Sequence, residues 1–110
     1  MEEAILRLYQ EPGIGASYTN TYGEENIRNL INMYRSLDDV GMQQMIKMVL
    51  NFSQSTDLAT SFVSVGVLHA LGQNEGVAEA YRWAKTQEDA QRIISHFEIG
   101  KSVADYFSSD

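Results

Sequence analysis

Cysteine is absent from the chain. A disulfide scaffold, a thiolate nucleophile and any cysteine-based zinc or iron–sulfur site are thereby excluded. Histidine occurs only as His69 and His96. His96 and Glu98 are two apart and point in different directions on a helix, so no metal and no cofactor is expected. Basic residues are scarce, 8 Lys and Arg against 15 Asp and Glu for a net charge of −7, and no two of them are adjacent. Phosphate contacts need clustered Lys and Arg, so direct nucleic-acid binding is not expected. No long apolar run is present either. The longest uncharged stretch, Leu58–Asn74, is broken by Thr60, Ser61, Ser64 and His69, which makes it too short and too polar to span a membrane. Met1-Glu2-Glu3 lacks the positive start and apolar core of a secretory signal, and a cytoplasmic location is the expectation.

What is there fits one helical domain over residues 1–110, with a first helix at 1–10, a loop at 11–23 and a helical core at 24–107. With 110 residues, 44% of them hydrophobic, a second domain could not bury a core of its own. Proline occurs once, in Pro12-Gly13-Ile14-Gly15, and this cluster breaks the chain after Glu2–Gln10. Beyond it the apolar residues recur at helical spacing. A helix is expected over Glu24–Ser36, with Thr21 and Glu24 as a capping box, and another over Asp38–Ser53, capped from Ser36. Asp57–Leu71 is apolar nearly all round and should be central, ending at Gly72. Asn74–Lys85 should turn Val77, Ala78, Tyr81 and Ala84 inward. A helix from Thr86 is expected to stop at Gly100, with a last short one over Lys101–Phe107 before a Ser108-Ser109-Asp110 tail. The fold class is therefore all-α, six or seven short antiparallel helices joined by short connections. Two arrangements fit: a compact bundle closed around the fourth helix, or a short stack of helix pairs similar to a stub of a HEAT- or armadillo-like solenoid.

No catalytic constellation stands out, and an enzyme is not expected. Gly13-Ile14-Gly15 has no lysine after it and reads as a turn, not a phosphate loop. Asp38-Asp39, Glu24-Glu25 and Glu88-Asp89 sit at helix starts, where negative charge favours the helix dipole. Glu24–Arg28 is an acid-first i, i+4 pair, whereas Glu75 and Glu79 repel one another. In an antiparallel array the starts of the third and fifth helices share an end. Asp38, Asp39, Glu75 and Glu79 would then gather there, with Glu24, Glu25, Asp57, Glu88 and Asp89 at the other. Met33, Met42, Met45 and Met48 suit an irregular core or an adaptable groove. Tyr18 and Tyr22, in Tyr-Thr-Asn-Thr-Tyr, are either the aromatic part of a recognition loop or pins that hold the loop on the bundle.

A small acidic helical chain carrying Glu24, Glu25, Asp38, Asp39, Glu75 and Glu79 resembles the immunity proteins of bacterial toxin–immunity systems. The resemblance is one of size, charge and helicity over the whole chain, without a shared motif. It implies binding of a cognate basic toxin, often a nuclease, and occlusion of its active site, with Tyr18 and Tyr22 setting the lifetime of the complex. Two other classes compete with this expectation. One is an adaptor that holds an amphipathic peptide in a groove on the methionine-rich surface or the fourth helix. The other is a small-ligand carrier with an interior pocket that includes His69 or His96.

Overall fold

Eight consecutive residues, Ser61–Leu68, are buried in a computed structural model that describes residues 1–108. They belong to α4 (Leu58–Ala70), and the rest of the molecule is arranged around them. The elements run α1 (Glu2–Gln10), a single 3₁₀ turn (Tyr18–Asn20), α2 (Glu24–Ser36), α3 (Asp39–Phe52), α4, α5 (Asn74–Lys85) and α6 (Ala90–Ser108). There is no strand among the described residues. Of the two arrangements the bundle closed around α4 is the one formed. Ser109 and Asp110 of the expected tail lie outside the described residues.

Side-chain neighbours give the directions of the helices. Along α4 and α6, the Phe62 ring lies 6.0 Å from His96, Gly66 faces Gly100, and His69 bonds Asp105. Both numbers rise together, so α4 and α6 are parallel. Val63 beside Gly23 and Gly66 beside Ile27 make α2 parallel to α4 in the same way. α3 and α5 supply the return crossings.

The break expected at Gly100 does not occur. α6 is one helix of 19 residues. A Cβ on Gly66 would lie 2.7 Å from the Gly100 carbonyl oxygen, and one on Gly100 would collide with the carbonyl oxygen of Phe62. The two glycines let two backbones touch, a demand that outweighs the roughly 1 kcal/mol by which glycine disfavours a helix interior. Gly72 does end α4. With φ at +72° it allows Gly72 N–H to bond the His69 carbonyl and Gln73 N–H the Leu68 carbonyl, the paired bonds of a Schellman stop.

The helix starts differ from those expected. α2 begins after Gly23, in the left-handed region, and the Thr21 hydroxyl donates back to Tyr18 instead of capping. α3 is capped by Asp38, whose Oδ1 accepts the Gly41 N–H at 2.7 Å, while Ser36 bonds Met33 within α2. Thr86 bonds the Trp83 carbonyl at the end of α5, and α6 starts only at Ala90. In α5, Gly76, Ala80 and Ala84 face the core and Ala78 is exposed. Gly76 is needed there, since a Cβ would come within 2.5 Å of Leu50 Cδ2.

α1, with nine residues, is too short to be stable alone. It is held by fully buried Ile5 and by Tyr9, whose ring meets Phe52 edge-on at 5.0 Å and whose hydroxyl shares a 2.7 Å hydrogen bond with Ser64. Burial raises the Tyr9 pKa, and the bond to Ser64 opposes this in part.

Candidate functional site

The loop at 11–23 is fastened by two buried asparagines. Asn20 Nδ2 donates to Asn26 Oδ1 at 2.9 Å and to the Gly13 carbonyl, and Asn20 Oδ1 accepts the Glu25 N–H at 2.9 Å. Asn26 Nδ2 donates in turn to the carbonyls of Leu8 and Pro12. One network therefore ties α1, the loop and the first turn of α2 together. Among the described residues no buried side-chain nitrogen or oxygen lacks a partner. The role of pin is thus filled by Asn20 and Asn26. Tyr18 is 91% exposed and Tyr22 51% exposed.

With the loop fixed this way, Thr19, Tyr22 and the start of α2 form one wall of an open cleft of about 910 Å³. The other wall is α6, which contributes Ile99, Val103 and Phe107 at four-residue intervals, with Ser102 and Tyr106 beside them. Glu24, Glu25 and Glu98 also line the cleft, against one guanidinium, that of Arg28. Arg28 does not pair with Glu24. Its guanidinium carbon lies 4.6 Å from the centre of the Phe107 ring, where the charge sits on the aromatic face. Glu24 Oε1 accepts the Tyr22 N–H at 2.5 Å, which fixes the tyrosine backbone at the mouth of the cleft.

Glu98 is a carboxylate with two side-chain partners. Lys101 Nζ lies 3.2 Å from its Oε2, and the Tyr81 hydroxyl donates to the same oxygen at 3.0 Å. These bonds, from Lys101 first and then Tyr81, hold the Glu98 carboxyl below the usual range. Lys101 also lies 5.0 Å above the Tyr81 ring. Partial burial works against its charge, but the contacts with Tyr81 and Glu98 outweigh that and raise its pKa.

The acidic residues expected to gather are dispersed. Gly76, at the start of α5, abuts Leu50, near the end of α3. Asp39 lies about 17 Å along the helix axis from Leu50 at 1.5 Å per residue. The starts of α3 and α5 are therefore at different places, because the start of α5 packs against the end of α3 and not against its beginning. Asp38 is occupied as a cap, Glu79 faces Arg82 at 4.0 Å, and Asp39 and Glu75 are exposed. The second expected group is divided as well. Glu24 and Glu25 line the large cleft, whereas Glu88 and Asp89 line a smaller one of about 400 Å³ with Thr56 and Arg92. Asp57 accepts a bond from Thr60.

Neither the fourth helix nor any of the four methionines lines the large cleft. α4 is buried along most of its length, Met45 is fully buried, and Met33, Met42 and Met48 are half-buried. His69 and His96 line neither of these two clefts. His69 Nε2 lies 2.7 Å from Asp105 Oδ1, and His96 Nδ1 lies 2.8 Å from the Arg92 carbonyl. Among the described residues no three His, Asp or Glu side chains are grouped to hold a metal ion. No helix among them is long and apolar enough to cross a membrane.

Apart from Tyr22, Glu24 and Glu25, the residues that line the cleft, Ile99, Val103 and Phe107 above all, are ones that sequence reasoning missed. The signal was the i, i+4, i+8 spacing of Ile99, Val103 and Phe107, which a helix stopped at Gly100 conceals. No protein-family model, curated protein or solved structure matches the chain.

Proposed function

We propose that this chain is a protein-binding inhibitor, an immunity protein of the bacterial cytoplasm that neutralises a basic toxin by covering its active site. The observation that carries the reading is that Tyr22, Glu24 and Glu25 share one open cleft with Tyr106, itself 74% exposed, in a chain of net charge −7. Exposed tyrosines provide rigid contact area at low entropic cost, and carboxylates beside them speed encounter with a cationic surface. Neither property performs a reaction, so the role is binding and not catalysis. The acidic field would set the association rate and the tyrosines the dissociation rate.

Affinity capture from the native organism, with the wild-type chain and a Tyr22→Ala/Glu24→Gln/Glu25→Gln triple variant, tests this. The expected result is one basic protein retained by the wild type and lost by the variant, its toxic activity abolished on binding. Its association rate should fall steeply between low and physiological salt. Retention of the same partner by the triple variant, or an association rate indifferent to salt, would refute the proposal.

A further inference from the structure

Ile99, Val103 and Phe107 form a half-buried apolar stripe on α6 that lines the cleft, with Arg28 of α2 over the Phe107 ring. At 1.5 Å per residue the stripe is about 12 Å long, the length of two helical turns. Its borders are charged unequally, with Glu24, Glu25 and Glu98 set against Arg28 alone. Arg28 is engaged on Phe107 and Glu98 by Lys101 and Tyr81. Glu25 makes its hydrogen bond through its backbone N–H, to Asn20. A flat apolar ligand would satisfy the floor and ignore the rim, while a purely cationic segment would do the reverse.

We infer that the cleft receives one amphipathic, cationic helix of the protein partner, with apolar side chains at i, i+3 or i+4, and i+7 on Ile99, Val103 and Phe107 and Lys or Arg side chains against Glu24 and Glu25. Ridges of the incoming helix would lie along the groove between α2 and α6, the same geometry that packs helices within a bundle. Tyr22 and Tyr106 would close over its flanks. The inference rests on the reading of the chain as a binder of a basic protein, and it adds which element of that protein is bound.

The test uses a synthetic peptide of roughly 12 residues, enough for the stripe at 1.5 Å per residue, with leucine at helical i, i+3, i+4 and i+7 spacing and lysine elsewhere. It is titrated into the full chain labelled with nitrogen-15. Amide shifts should be confined to residues 18–28 and 98–107, and the same peptide with glutamate for lysine should not bind. Ile99→Ser should weaken binding about tenfold through loss of apolar contact, and Glu24→Gln/Glu25→Gln about fivefold through loss of two rim charges. Glu2→Gln/Glu3→Gln, an equal change of charge on α1, should leave affinity within about twofold. Shifts scattered over the acidic surface, equal effects of the two double variants, or no binding would overturn the inference. The two proposals fail separately. A captured basic partner lost by the triple variant but indifferent to Ile99→Ser sinks the helix and leaves the inhibitor. Cleft-specific peptide binding with no basic partner retained does the opposite.

Discussion

The two flanks of α6 meet different neighbours. On one side Gly100 presses against α4 so closely that the backbones touch at Gly66 and Gly100. On the other side, Ile99, Val103 and Phe107 look across an open cleft at Tyr22 and Glu24. Both flanks hold apolar residues, so hydrophobicity does not separate them. Side-chain size does. Glycine removes the spacer between helices and allows close contact with α4, while on the cleft side the long side chain of Arg28, lying over Phe107, stands between α2 and α6. One face of the helix therefore secures the fold and the other remains available.

The contrast is most easily broken at the crossing. Gly100→Ala should cost about 3 kcal/mol of unfolding free energy in urea, because backbone atoms of α4 cannot move aside for a methyl group. Helix propensity alone favours alanine by about 1 kcal/mol. A stabilised variant would show that the α4–α6 contact is looser than described.

The next largest effect belongs to the wall of the cleft. Asn20→Ala removes the donor to Asn26 and Gly13 and the acceptor for the Glu25 N–H, at a cost of about 2 kcal/mol. Amide exchange over residues 11–23 should accelerate more than in α4. Uniform acceleration would mean that the loop is not a separately fastened unit.

A smaller effect is expected along the edge where Glu98 stands. Its pKa is lowered in the folded chain, so its contribution is present above the ordinary carboxyl range and is lost as pH falls through the depressed value. Glu98 is largely exposed, and solvent screening keeps that contribution below about 1 kcal/mol. Acid titration of stability should show wild type and Glu98→Gln differing near neutral pH and converging in acid. Parallel curves would remove the Lys101–Glu98–Tyr81 arrangement as a source of stability. The smallest effect is at the rim, where Tyr22→Ala should change stability by no more than about 0.5 kcal/mol while partner binding falls. A large loss of stability there would make Tyr22 a pin after all and collapse the distinction between the two flanks.

Much of the fold can be read along the chain. Glu2–Gln10, Glu24–Ser36 and Asn74–Lys85 are helices at the expected bounds, and the apolar circumference of α4 marks it as the centre. The candidate site is legible only in part. Tyr22, Glu24 and Glu25 are there, but Asp38, Asp39, Glu75 and Glu79 lie elsewhere, since tertiary packing sets the start of α5 against the end of α3. Asn20 and Asn26 look like ordinary loop and helix-start residues. Their burial depends on carbonyls from Leu8, Pro12 and Gly13, which only folding brings near.

Local periodicity and composition were enough to settle that this chain is helical, acidic and built on one core, because those properties depend on residues within a turn or two of each other. Whether Gly100 ends a helix or permits a contact was decided by α4, a partner more than thirty positions away. The cleft has the same origin. Its two walls come from opposite ends of the chain, and only the packing of α2, α4 and α6 determines how far apart they stand.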